Sequence, residues 1–190
     1  MFPLWIAFIN TIGIPFIQAN DLLYLTACLV AIAAFREFIS NKAVLFLAFS
    51  FLYLSPHSYD FASISHAFRQ TIYPSLALLV LSTALVVITR ATMENKFLSA
   101  WSLLLGFSFS FFWYTREEGI WLVPALLLLL TGTIIIIISS DNRKRKLWYV
   151  IFYFVTLPAI VFAATSTILS NLNNKYYGSP IVLEIKTPEF

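Results

Sequence analysis

Three charged residues, Arg116, Glu117 and Glu118, follow one another between two long apolar segments, 97–114 and 120–138. Charge in or near a bilayer core is costly, so such groups usually face a cavity, a partner or the water interface. A guanidinium can bind phosphate through paired, charge-assisted hydrogen bonds. This turn is therefore a candidate site for an anionic headgroup. The alternative is a short charged loop that marks the membrane boundary.

Glu117 and Glu118 are adjacent, which argues against the paired carboxylates of a glycosidase. Successive helical residues point about 100° apart, so the two carboxylates do not share one face. We expect one of them to pair with Arg116 or Arg69 and the other to meet the external cavity. Gly119 is expected to let the backbone turn sharply before the next apolar segment.

A second polar group precedes the apolar segment 71–89. Plotted at 100° per residue, residues 61–73 separate into an apolar and a polar sector on opposite sides of a helix. The apolar sector holds Phe61, Ile64, Phe68 and Ile72, and the polar sector holds His66, Arg69, Gln70 and Tyr73. This separation predicts a helix over 61–70 that lies in the membrane interface. His66 and Arg69 are candidates to bind the same anionic headgroup, with a face that meets water and bulk lipid as the alternative.

No cofactor or metal site is predicted. His57, Asp60 and His66 lie near one another in the sequence, but their spacing matches no familiar metal site, and no motif supports a divalent cation. The single Cys28 lies inside an apolar segment and has no cysteine to pair with.

The composition places these residues in an integral membrane protein. Hydrophobic residues make up 60% of the 190-residue chain and charged residues 11%, whereas a soluble domain carries about a quarter charged residues. The formal net charge of +3 is too small to suggest nucleic acid as a partner, and the basic residues do not form one patch in the sequence. Membrane lipid is the expected partner.

Seven apolar segments predict an all-α fold, a polytopic bundle of about seven transmembrane helices over residues 1–170 with one interfacial amphipathic helix. The segments are 2–17, 22–35, 43–54, 71–89, 97–114, 120–138 and 147–169. The last four reach the roughly 17 residues that a span needs, whereas 43–54 is a candidate for a broken or re-entrant element. Residues 171–190 are expected to form an external polar tail that continues in a longer protein.

Proline and glycine mark expected irregularities in these segments. Gly13-Ile14-Pro15 breaks or kinks the first segment, and Pro124 and Pro158 predict kinks in the last two. Pro74 lies in the first turn of the fourth segment, where a missing N–H group is tolerated.

The distribution of basic residues sets the expected orientation. If the segments alternate and the run Arg143-Lys144-Arg145-Lys146 is cytoplasmic, eight of the 12 basic residues lie inside and four lie outside. The N-terminus is then cytoplasmic and the C-terminus external. Residues 20–21, 56–70, 115–119 and 170–190 all fall on the external face.

The turn Thr115-Arg116-Glu117-Glu118-Gly119, after an aromatic-rich span and before an apolar run with Pro124, resembles a charged turn of multi-spanning glycosyltransferases of the GT-C type. The start of the chain, from Pro3-Leu4-Trp5 through Gly13-Ile14-Pro15 to Leu22-Leu23-Tyr24, is similar to the segment that follows the first external loop of that fold. The resemblance covers most of the chain.

This resemblance implies an enzyme that uses a polyprenyl-phosphate-linked sugar on the external face of the bacterial inner membrane, with inverting transfer. Arg116 would then contact the phosphate, and Glu117 or Glu118 would orient it or the acceptor. His66 and Arg69 have no counterpart in the family. The general base of such enzymes belongs to an external loop that would precede Met1, so we expect an incomplete chain that lacks its catalytic loop.

Two other functional classes stay open. One is a component of a transporter or lipid flippase, whose pathway the charged turn would line. The other is a non-catalytic subunit that packs against a membrane-protein partner through small residues such as Ala27, Ala31, Ala33 and Ala34. A transporter is typically built from internal repeats with charges at mid-membrane depth. The sequence has neither feature, which favours the transferase.

Thiol labelling tests the orientation. Single cysteines placed by Ser58→Cys or Asn142→Cys in a Cys28→Ala background should react differently with an impermeant reagent in intact cells. Ser58→Cys is expected to label because 56–70 lies outside, and Asn142→Cys should label only after the cells are opened. The reverse pattern would overturn the orientation and move the charged turn to the cytoplasmic face.

Overall fold

A computed structural model describes residues 2–55, 69–93, 97–115, 117–139 and 143–178 of the chain. These residues form the helices α1 (Phe2–Ile12), α2 (Phe16–Phe35), α3 (Lys42–Tyr53), α4 (Arg69–Met93), α5 (Leu98–Thr115), α6 (Leu122–Ile138) and α7. The last helix, α7, runs without a break through Arg143–Val150, a π-helical turn at Ile151–Thr156 and Leu157–Tyr177. A 3-10 helix, Glu117–Trp121, precedes α6. No strand occurs in the described part of the chain, which confirms the all-α class.

Four helical stretches in these ranges are long and apolar enough to cross a membrane. They are Phe16–Phe35, Thr71–Met93, Gly119–Ile138 and Arg143–Tyr176. The 20 residues of α2 reach about 30 Å, which matches the hydrocarbon thickness of a bilayer. These helices are those expected of a membrane-embedded protein, but the prediction of about seven spans is not supported.

The shorter elements account for the difference in span count. Residues 2–17 do not form one helix, because Gly13 adopts a left-handed φ of 76° and Pro15 precedes the start of α2. This leaves α1 with 11 residues, and α3 has 12. Helix α5 has 18 residues, but its serines, Trp113 and Tyr114 make it less apolar than the four long helices.

Pro74 and Pro124 occupy different positions from those expected. Pro74 lies inside α4, beyond its first turn, because the helix begins at Arg69. Pro124 falls in the first turn of α6, where a missing N–H group is tolerated. Pro158 lies near the middle of α7, as expected, two residues after the last residue of its π-helical turn. The backbone hydrogen bonds of α7 change in the π-helical turn. The hydroxyl of Ser102 in α5 donates a hydrogen bond to the Tyr153 carbonyl in that turn, which partly compensates for the change.

Helices α2 and α4 run parallel, with a polar contact at each end. The Asn20 amide donates to the Thr71 hydroxyl at 3.3 Å near the start of both helices. Glu37, just after α2, pairs with Arg90 near the end of α4 at 3.2 Å. Helix α3, which lies between α2 and α4 in the sequence, brings the chain back towards the start of α4. The Leu52 carbonyl of α3 accepts a hydrogen bond from the Tyr24 hydroxyl of α2.

The other contacts fix the directions of α5 and α7. Helix α5 is antiparallel to α4, since Tyr73 stacks on Phe112 while Arg90 lies over the Trp101 ring. Helix α7 is parallel to α5, because Ser102 contacts Tyr153 and, further along both helices, Tyr114 stacks on Phe162. We name the two ends of the bundle by their polar residues. The Thr71 end holds the starts of α2 and α4 and the ends of α5 and α7, and the Arg90 end holds the opposite termini.

Helix α4 is the central element and buries most of its surface against α2 and α5. Its side chains Val80, Ala84 and Val87 are fully buried. Ala27, Ala31 and Ala34 of α2 are also buried. These alanines, which the sequence suggested for contact with a partner subunit, are instead used inside the chain.

Helices α5 and α7 approach closely at Gly106. A Cβ atom added there would lie 2.7 Å from the Val161 Cβ and 3.1 Å from the Pro158 Cα. Real Cβ atoms essentially never approach each other at 2.7 Å, so any larger residue would force the two helices apart. Membrane helices commonly use glycine in this way, because close contact replaces the missing hydrophobic driving force.

Substitution of this glycine is expected to destabilise the bundle. Gly106→Ala should lower the free energy of unfolding by about 1–3 kcal/mol, as overpacking generally does. Gly132→Ala is the matched control in α6, since a Cβ there would meet nothing within 4 Å, and alanine favours the helix by up to about 1 kcal/mol. Thermal unfolding of both variants in detergent measures the difference. Equal stability of the two would contradict the close approach.

Candidate functional site

The start of α4 and the end of α5 meet at the Thr71 end. Tyr73 of α4 and Phe112 of α5 stack with ring centroids 4.5 Å apart. Arg69 is the first residue of α4, one turn before Tyr73, and α5 ends at Thr115, one turn after Phe112. The start of α4 and the end of α5 are therefore neighbours, which is what a shared site for Arg69 and Arg116 requires.

The side chains of the predicted site lie outside the described part of the molecule. Arg116 and His66 are not among the described residues, and of Arg69, Glu117 and Glu118 only the backbone is described. The predicted interfacial helix 61–70 also lies outside, apart from the two residues that begin α4. Convergence of these five residues on one headgroup thus stays a prediction.

The backbone of the charged turn is a 3-10 helix, Glu117–Trp121. This 3-10 helix is followed directly by α6, so the backbone of the turn continues into the apolar helix. The argument against a glycosidase-type carboxylate pair rests on the sequence alone.

Gly119 has a different role from the one expected. It does not use the left-handed backbone conformation that Gly13 and Gly178 adopt. Instead it is buried, and an added Cβ would lie 3.2 Å from the Trp113 Cα. The turn therefore packs directly onto the last turns of α5, with little room for a side chain at residue 119, and this contact fixes the position of the backbone that carries the two glutamates.

Asn20 joins three helices at the Thr71 end. Its side-chain oxygen accepts a hydrogen bond from the Trp5 indole at 3.2 Å, and its amide nitrogen donates to the Thr71 hydroxyl at 3.3 Å. Trp5 also meets Phe111 edge-on at 6.1 Å. One amide thus ties α1 to α2 and α4. An asparagine next to an apolar segment is a signal that sequence reasoning could have used.

An apolar groove opens beside this network. Its volume is ≈ 560 Å³, and it extends from Trp5 and Leu172 near the Thr71 end to Leu79 and Leu104 at mid-bundle. Helices α1, α4, α5 and α7 supply most of its walls, and nearly all the lining is hydrocarbon or aromatic. Ligand sites are typically concave, apolar spaces of about this size with polar groups at one end. Sequence reasoning missed the groove because four separate helices form it.

The Arg90 end carries a different polar cluster. Arg90 pairs with Glu37 and lies 5.2 Å from the centre of the Trp101 ring. These contacts join α2, α4 and α5 and leave both charges compensated. Within the described ranges, no group of three His, Cys, Asp or Glu residues is placed to hold a metal ion. His57, Asp60 and His66 lie outside those ranges.

Comparisons of the chain with models of known families, with curated proteins and with solved structures find no match.

Loss of the Asn20 side chain is expected to loosen the Thr71 end. Asn20→Ala removes two interhelical hydrogen bonds, and such bonds in membrane bundles are worth about 0.6 kcal/mol each on average. The stability should therefore fall by roughly 1 kcal/mol, and α1 should become more accessible to protease. Asn10→Ala is the control, because Asn10 is an exposed amide on the same helix as Trp5. If the two variants behave alike, Asn20 does not hold α1 in place.

Proposed function

We propose that this chain is a membrane-embedded, glycosyltransferase-like protein that binds a polyprenyl-phosphate-linked sugar. The phosphate would lie at the Thr71 end, near Arg69 and Arg116, and the isoprenoid chain would lie in the groove between α1, α5 and α7. In the orientation expected from the distribution of basic residues, the Thr71 end faces the outside and the Arg90 end faces the cytoplasm. Helices α3 and α5 would return the chain across the membrane between the longer spans.

The observation that carries the proposal is the position of the groove. It opens at the same end of the bundle at which α4 begins and α5 ends, beside Trp5 and Phe111. A lipid with a phosphate headgroup needs an apolar channel for its chain and cationic donors at the channel mouth. The groove supplies the apolar channel. The cationic donors are supported by the positions of the start of α4, which carries Arg69, and of the end of α5, which precedes residue 116 in the sequence.

The charged turn supplies the proposed headgroup chemistry. Guanidinium groups bind phosphate by bidentate, charge-assisted hydrogen bonds, each worth about 1.5–3 kcal/mol. Glu117 and Glu118 would hold the arginines in place, because a carboxylate repels phosphate. The transfer reaction is proposed from the resemblance of residues 115–119 to the GT-C turn, and no general base is assigned.

Arginine variants test the headgroup site. Arg116→Ala or Arg69→Ala should weaken binding of a fluorescent polyprenyl phosphate to the full-length protein at least about tenfold, because one bidentate contact is lost. Arg116→Lys keeps the charge but not the fork, so it should recover only part of the affinity. Polyprenol without phosphate should bind all variants equally. Wild-type affinity in all three variants would refute the headgroup site.

Tryptophan scanning tests the groove separately. Ile168 lines the groove and is 59% exposed, whereas Ile160 lies on the same helix outside the groove and is 57% exposed. Ile168→Trp should fill the channel and reduce binding of both polyprenyl phosphate and polyprenol, whereas Ile160→Trp should reduce neither. Equal binding by the two variants would show that the isoprenoid chain does not lie in this groove.

A further inference from the structure

The Arg90 end presents a surface of positive charge. The starts of α3 and α7 lie here together with the residues that follow α2. The exposed or half-exposed cations at this end are Arg36, Lys42, Arg143, Lys144, Arg145 and Lys146. The alternating topology expected from the sequence put all six on one side, and the folded bundle places them at one end.

The described acidic residue at this end pairs with Arg90, which is not one of these six cations. Glu37 is bound to Arg90 at 3.2 Å, and this pair is held against α5 through the Trp101 ring. The acidic residues Glu94 and Asp141 belong to connections outside the described residues. Among the described residues, the outward-facing charge of the Arg90 end is therefore positive.

The four cations at the start of α7 would lie at the depth of lipid headgroups if α7 crosses the bilayer, because they directly precede its apolar part. They begin a helix that continues without a break into one of the four potential spans, Arg143–Tyr176. Four successive residues at 100° spacing surround the helix, so they cannot all face the bundle. Trp148 follows within one turn and is 64% exposed, and exposed tryptophan is typical of the membrane interface. The Arg145 guanidinium lies 5.9 Å from the centre of the Tyr149 ring.

We propose that this surface of the Arg90 end binds anionic phospholipid headgroups, such as those of phosphatidylglycerol. Basic clusters next to a span attract anionic lipids, and each basic residue near the surface changes the affinity on the order of fivefold. The site differs from the proposed sugar-lipid site in location and chemistry. It lies at the opposite end of the bundle, and it attracts anionic phospholipids by their charge rather than binding one specific headgroup. It does not depend on the proposed transferase function.

Spin-labelled lipids test the proposal. The full-length protein is reconstituted in phosphatidylcholine vesicles with a trace of spin-labelled phosphatidylglycerol or phosphatidylcholine, and electron paramagnetic resonance measures the fraction of label immobilised by the protein. Both leaflets hold the probe, so the direction of insertion does not affect the result. Wild type should favour the anionic lipid, and the variant carrying Arg143→Gln, Lys144→Gln, Arg145→Gln and Lys146→Gln should lose most of that preference, by at least about fivefold.

Two controls separate charge from folding. A variant with Arg143→Lys and Arg145→Lys keeps the positive charge and should keep the preference for the anionic lipid. The reason is that the lipid is attracted by the charge of the surface and not by the bidentate hydrogen bonds of a guanidinium group. High salt should abolish the wild-type preference without any substitution, since exposed charges are screened within a Debye length. Equal immobilisation of the two lipids by wild type, or a salt-insensitive preference, would overturn the proposal and leave the basic run as a topology signal only.

Discussion

The packing of α4 against α2 and α5 is the interaction on which the rest of the bundle depends. Apolar side chains gain little by leaving lipid for another helix, so membrane helices associate through close packing and a few hydrogen bonds. The fully buried Val80 and Ala84 of α4 and the buried Ala27 and Ala31 of α2 provide that packing. Because α4 holds both neighbours along its length, it also fixes which termini share an end.

The polar contacts at both ends follow from this central packing. In hydrocarbon, polar groups need partners within the protein. Asn20 finds its partners at the start of α4, and Glu37 finds Arg90 at the end of it. The antiparallel packing of α5 on α4 places the start of α4 and the end of α5 at one end of the bundle. The exposed cations of three helix termini lie at the other end, so the two ends present distinct surfaces.

The groove lies beside the short first helix. Gly13 and Pro15 interrupt the first apolar segment, so α1 has only 11 residues. Trp5 anchors α1 through Asn20, and α1 forms one wall of the groove together with side chains of α4, α5 and α7.

The sequence by itself determined the helical class, the approximate bounds of the last four apolar segments and the break at Gly13, because these follow from local hydropathy and backbone preference. It did not determine the number of spans, because hydropathy alone does not decide whether short apolar helices such as α1 and α3 cross the bilayer. Only the tertiary structure decided that Gly119 packs on Trp113 and that α1, α4, α5 and α7 leave a groove. It also decided that Arg90 pairs with Glu37. These features arise from contacts between residues far apart in the chain, which local hydropathy does not encode.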